Sequence, residues 1–130
     1  MPTNIRRVAV VDDDPAVLKG LQRLLETANF EVQAYPSGTE FLMSAMDVEF
    51  DCLVLDLHMP ETSGFEVQTR LRQRARPPVP VVIITGRDTP EARARAYALG
   101  AKAYLCKPID AAPLLAAIES VSRSPQAPDP

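Results

Sequence analysis

The chain has 130 residues, 46% hydrophobic and 24% charged, which suits one domain with its own core and speaks against a disordered tail. A formal net charge of −3 at pH 7 speaks against the strongly basic surface that a direct grip on nucleic acid needs. Cys52 and Cys106, the two cysteines, lie in apolar, strand-like runs without close Cys or His spacing, so they read as small buried hydrophobes rather than as a disulfide or metal framework.

No apolar run is long enough to suggest a membrane span. Arg6-Arg7 are followed by a short apolar run that ends in three aspartates, which is not the pattern of a signal peptide. A soluble, reduced, cytoplasmic setting is the expectation.

In chain order, Val8-Ala9-Val10-Val11 reads as a buried strand, with Asp12-Asp13-Asp14 directly after it. Asp14-Pro15 has the form of an N-cap and first helical residue, and Val17, Leu21, Leu24, Leu25 and Ala28 give a helical apolar stripe ending near Asn29. Residues Glu31 to Tyr35 form a second strand. Ser37 and Glu40 have capping-box spacing and open a helix carrying Phe41, Leu42, Ala45 and Met46.

A third strand runs from Asp51 to Leu55 and meets Asp56, a carboxylate between Leu55 and Leu57. Ser63 with Glu66 opens the next helix, carrying Phe65, Val67 and Leu71, and Pro77, Pro78 and Pro80 separate it from the strand Val81-Val82-Ile83-Ile84. Arg70, Arg72, Arg74 and Arg76 are spread around the helix rather than along one face and read as a solvated helix end, with cations favoured there by the helix dipole.

Thr89-Pro90 starts an Ala-rich helix stopped by Gly100; Lys102 to Cys106 is a short fifth strand; Asp110 caps a last helix with Leu114, Leu115, Ile118 and Val121 inward and Ile109 and Leu114 at staple positions. This divides the chain into a domain over residues 1–123 and a Pro-rich tail or start of a linker over residues 124–130.

Five alternations of strand and helix predict an α/β fold, a five-stranded parallel sheet with helices on both faces and its site beyond the carboxyl ends of the strands. Asp12, Asp13, Asp56, Thr85 and Lys107 all stand at that edge. Crowded carboxylates repel unless a cation is present, and oxygen-only ligands favour a hard ion such as Mg²⁺, or Mn²⁺. A carboxylate nucleophile beside a cation, a lysine and a hydroxyl is a plausible phosphoryl-binding set.

Val-Val-Asp-Asp at 10–13, Asp-Leu-His-Met-Pro at 56–60 with Gly64 beyond, Ile-Thr-Gly at 84–86 and Gly-Ala-Lys-Ala-Tyr-Leu-Cys-Lys-Pro at 100–108 together resemble the response-regulator receiver domain of two-component signalling, of the FixJ/NarL type. The likeness runs from about Arg6 to Val121. Each motif is weak alone; four in this order, each after a strand, are specific.

The resemblance implies a flavodoxin-like sheet in the order 2-1-3-4-5 and a phosphorylation-dependent switch without metabolite turnover. It implies that Asp56 is the phosphoacceptor, that Asp12, Asp13, Asp56 and the His58 backbone carbonyl hold Mg²⁺, and that Lys107 pairs with the phosphoryl oxygens through a cis Lys107-Pro108 bond. Thr85 then moves toward the phosphoryl group and Tyr104 swings inward behind it. His58, the single histidine, and Arg87 flank the site as candidates for tuning dephosphorylation.

The implied partners are a sensor histidine kinase and, through a readout face over residues 90–121, an output DNA-binding domain or partner protein, with a monomer that pairs through that face on phosphorylation. A stand-alone relay protein is the alternative output. An aspartate-nucleophile phosphatase of the haloacid dehalogenase type needs a second acid two residues after the nucleophile, where this chain has His58. A flavodoxin-like cofactor binder needs a phosphate loop after the first strand, where this chain has aspartates.

Overall fold

A computed structural model of the chain describes residues 5–74 and 77–122. The expected tail over residues 124–130, the first four residues and Arg76 lie outside them. Five strands, β1 (Arg7–Val11), β2 (Glu31–Tyr35), β3 (Cys52–Asp56), β4 (Val81–Thr85) and β5 (Ala103–Cys106), alternate with five helices, α1 (Pro15–Thr27), α2 (Gly38–Ala45), α3 (Gly64–Gln73), α4 (Pro90–Ala98) and α5 (Ala111–Ser122). All pairings are parallel, and the sheet order is β2-β1-β3-β4-β5, as expected.

The central strands are apolar without alternation because both sheet faces are covered. Every residue of β3 and of β4 is buried. One face packs against α2, α3 and α4 through Leu53, Leu55, Ile83, Phe41, Phe65, Leu71 and Ala96. The other packs against α1 and α5 through Val8, Val10, Val54, Ile84, Leu25, Leu114 and Ile118. Truncating a fully buried Leu25 or Leu114 to Ala costs about 2–5 kcal/mol in such cores.

The helix starts follow the capping residues. Asp14 Oδ1 accepts from the N–H groups of Ala16 (2.9 Å) and Val17 (3.3 Å), with Pro15 in the first turn. Ser37, Ser63 and Thr89 accept from the N–H groups of Glu40, Glu66 and Ala92 in the same way. At the far end of α4, Gly100 takes φ +105°, a left-handed conformation that glycine adopts without a Cβ clash.

Two expectations need correcting. Cys106 is exposed, not buried, because it ends β5, an edge strand of the sheet; Cys52, on central β3, is buried, and burial pushes its thiol up to about 12. Asp51 lies before β3, where its carboxylate accepts from the Arg7 N–H at 2.8 Å and ties the start of β3 to β1.

Candidate functional site

Parallel register brings the carboxyl ends of β1, β3, β4 and β5 to one rim, since Val11 stands beside Leu55, Asp56 beside Ile84 and Thr85 beside Cys106. Asp12 follows β1, Asp56 ends β3, Thr85 ends β4 and Lys107 follows β5. The residues expected to meet therefore meet. One carboxylate oxygen from each of Asp12, Asp13 and Asp56 lies within 4.8 Å of the others. Asp12 is 0% and Asp56 3% exposed, whereas Asp13 faces solvent.

Lys107 Nζ sits 2.9 Å from Asp12 Oδ2 and 3.3 Å from Asp56 Oδ1. A single ammonium thus bridges two carboxylates. Burial, first, and the charge of Asp12 push the Asp56 carboxyl up to about 6; Lys107 opposes this and Asp13 adds to it. Burial pulls the Lys107 ammonium down, but Asp12 and Asp56 outweigh it and hold its pKa above the usual lysine range.

The donor set fits a hard divalent cation. All three side chains offer oxygen, and the buried Asp12 Oδ2 has the Lys107 ion pair but no hydrogen bond. Asp12 Oδ1 is occupied by the Asp14 N–H at 2.9 Å, which orients the carboxylate.

Loops shape the rest of the rim. The Lys107-Pro108 bond is cis, as expected, and the Lys107 N–H donates to the Thr85 carbonyl at 2.8 Å. The Gly64 N–H donates to Leu57 O at 2.9 Å, so α3 begins against the backbone that follows the buried carboxylate; a Cβ at Gly64 would run into Asp56 O and Leu57 Cα. Glu61, in the same loop, takes φ +67°, a left-handed conformation that nothing in its residue type announced.

Three site residues stand in particular states. Thr85, fully buried, accepts from the Arg87 N–H at 3.0 Å and donates to the Arg87 carbonyl at 3.3 Å, so its hydroxyl is turned into the loop after β4. Tyr104, expected to swing inward, is already inward: the residue is 7% exposed, and its ring is capped by the Arg93 guanidinium at 4.6 Å and flanked by the Tyr97 ring at 6.2 Å. Burial raises its phenol above the usual range and nearby Asp88 adds to this, while the hydroxyl has no hydrogen-bond partner. His58 and Arg87 are both exposed beside the rim.

A buried polar residue escaped sequence reasoning. Gln68 on α3 is 1% exposed and its Nε2 donates to Ala96 O on α4 at 3.0 Å. Its position on the inward face with Phe65 and Leu71 was the available signal.

A doubly wound α/β domain with an acidic pocket at its switch point, a lysine across from it and a threonine beside it has the arrangement of a receiver. The chain belongs to the response regulator receiver domain family, whose model matches residues 8–119. It is 39% identical to the transcriptional regulatory protein PrrA of Mycobacterium tuberculosis, over 90% of this chain and 50% of that protein. It is 34% identical to the response regulator protein TmoT of Ectopseudomonas mendocina, over 87% of this chain and 51% of that protein.

Among solved structures, a CheY-like receiver domain protein from Methanospirillum hungatei superposes with a TM-score of 0.84 at 27% identity, covering 92% of this chain and 94% of that one. The BeF3-activated DrrB receiver domain gives 0.82 at 29% identity, covering 91% and 97%.

The chain thus spans about half the length of the curated relatives it matches. The family is a signalling family of two-component systems, not one of metabolic enzymes; its members work with histidine kinases and bind Mg²⁺ in an acidic pocket, and this chain carries an acidic cluster of Asp12, Asp13 and Asp56. The finer FixJ/NarL likeness rests on the motifs alone. No described helix is long and apolar enough to cross a membrane.

Proposed function

We propose that Asp56 is the phosphoacceptor of a signalling switch. The observation that carries this is the buried Asp56 carboxylate at the rim, with Lys107 Nζ at 3.3 Å and two further carboxylates within 4.8 Å. An Asp56 oxygen attacks the phosphorus of a phosphohistidine on a partner kinase; the P–N bond breaks, the imidazole leaves with the electron pair, and an acyl phosphate remains. Mg²⁺ held by Asp12, Asp13, Asp56 and the His58 main-chain carbonyl would screen the carboxylates and neutralise phosphoryl charge.

Lys107 follows the charge from the Asp12 and Asp56 oxygens to the phosphoryl oxygens. Thr85 gives up its two contacts with the Arg87 peptide to donate to the new acceptor, which drags the loop before α4. The phosphoryl group brings roughly 1.5 to 2 negative charges, enough to bias a two-state element. The responding face runs over α4, β5 and α5, where Tyr104 is held inward under Arg93. His58 and Arg87, exposed at the rim, tune hydrolysis of the acyl phosphate; dephosphorylation rates of His58→Ala and Arg87→Ala equal to the parent would remove that role.

The unit that does this is residues 1–123, in the cytoplasm, a monomer able to pair through the responding face. Its output is transcription through a DNA-binding domain, a reading supported by relatives named as transcriptional regulators and about twice this chain's matched length. The test is incubation with Mg²⁺ and acetyl phosphate followed by intact-mass measurement. The parent gains one phosphoryl group and Asp56→Asn gains none; no gain on a folded parent defeats the reading.

A further inference from the structure

Helix α4 is held from two sides, and the site uses one of them. On the β5 side, Arg93 caps the Tyr104 ring. On the α3 side are two contacts with no part in the rim chemistry. Arg95 places its guanidinium 4.2 Å from the centroid of the Phe65 ring, and Gln68 Nε2 donates to Ala96 O at 3.0 Å. Phe65 and Gln68 are three residues apart and share one face of α3.

Gln68 works as a cap supplied by a neighbouring helix of the same chain. Ala96 O belongs to the last turn of α4 and also accepts from the Ala101 N–H at 3.0 Å, past the helix end. Gln68 therefore joins the end of α4 to α3, at a cost, because its Oε1 is buried without a partner. A leucine of similar volume would fill the position without the orphaned oxygen, and Ala96 O would keep the Ala101 bond.

Space lies at this junction: a cavity of about 410 Å³ is lined by Gln68, Leu71 and Arg72 of α3 and by Leu99 and Gly100 just after α4. Open space thus lies beside the C-cap of α4, and Gln68 ties the last turn of the helix to α3. Helix α3 in turn starts at Gly64, which touches the backbone of Asp56 and Leu57 too closely for any side chain.

We propose that Gln68, with the Phe65–Arg95 contact, is a positioning clasp that couples Asp56 to the C-terminal half of α4 through α3, separately from Thr85 and Tyr104. The inference rests on Asp56 being the phosphoacceptor. A phosphoryl group at Asp56 strains the β3–α3 turn, and α3 hands that displacement to Ala96. The loop before α4 receives the other signal, through Thr85.

The test uses isotope-labelled protein with Mg²⁺ and beryllofluoride as a phosphoryl mimic, in the parent, Gln68→Leu and Arg95→Ala. Fluorine resonances report occupancy of Asp56, and backbone amide shifts report α4. In the parent, amides from Arg95 to Gly100 move. In the variants the fluorine signal and the shifts at Arg87 and Asp88 persist, while those at 95–100 fall at least twofold.

Undiminished shifts at 95–100 in Gln68→Leu overturn the clasp. Should that variant not fold, the same criterion applies to Arg95→Ala, whose side chain is exposed. A parent that binds the mimic but leaves 95–100 unmoved sinks the clasp alone; a parent that binds none removes the reading of Asp56 and the clasp with it.

Discussion

Asp56→Asn in the absence of metal should make the protein more stable. The folded protein holds the Asp56 carboxyl at about 6, well above the ordinary 3.8 of an aspartate, mainly through burial and the charge of Asp12. Roughly two pH units at 1.36 kcal/mol each set a ceiling of about 3 kcal/mol that folding spends on keeping this group ionised near neutral pH. The side chain is 4% exposed, so solvent screening removes little of it.

Asparagine is uncharged, and Lys107 keeps its partner Asp12 at 2.9 Å. A gain of about 1–3 kcal/mol is expected in EDTA at pH 7.5, roughly 4 to 10 °C in Tm for a domain of this size. The native state binds the Asp56 proton more tightly than the unfolded chain does. The stability due to that proton is therefore complete below about pH 4 and lost as pH rises through about 6. The gap between variant and parent should accordingly be full at pH 7.5 and close as the pH falls toward 4. Melting curves across this range provide the assay. A variant no more stable than the parent at pH 7.5, or a gap indifferent to pH, would refute the electrostatic account of the rim.

Lys107→Ala removes the ammonium from between Asp12 and Asp56 and should destabilise the metal-free protein by about 2 kcal/mol at pH 7.5 in urea titrations; added Mg²⁺ should restore part of the loss. Mg²⁺ affinity, followed by calorimetry, should be level above pH 7 and weaken as pH drops below about 6, because protons compete for Asp56; affinity unchanged at pH 5 would place the ion elsewhere. Gly64→Ala pushes a methyl into Asp56 O and Leu57 Cα and should cost about 1–3 kcal/mol while slowing acetyl phosphate labelling. A variant as stable and as reactive as the parent would show that α3 is not seated on the phosphoacceptor loop.

Much of the architecture was legible in the residues themselves, because local chemistry and tertiary structure agree there. Asp14-Pro15, Ser37, Ser63 and Thr89-Pro90 start helices where their side chains can take orphan N–H groups, whatever lies across the domain. Unbroken apolar runs such as 81–84 fit only strands covered on both faces, and the alternation of elements then forces a parallel sheet with its chemistry at one edge. That logic reaches Asp12, Asp13, Asp56, Thr85 and Lys107 without coordinates.

Packing across distance decided the rest. Cys106 ends up exposed because β5 is the edge strand, a fact of sheet order rather than of its apolar neighbours. The inward Tyr104 depends on Arg93, and the inward-turned Thr85 on a peptide two residues away whose conformation its own residue type does not set. The tie from Gln68 to Ala96 joins residues 28 apart that meet only because α3 and α4 cover the same face of the sheet. Sequence by itself determined which side chains reach the rim, since that follows from strand ends. Only the tertiary structure decided how those side chains are held and which helices they pull on, because buried contacts between elements depend on a packing that no local pattern encodes.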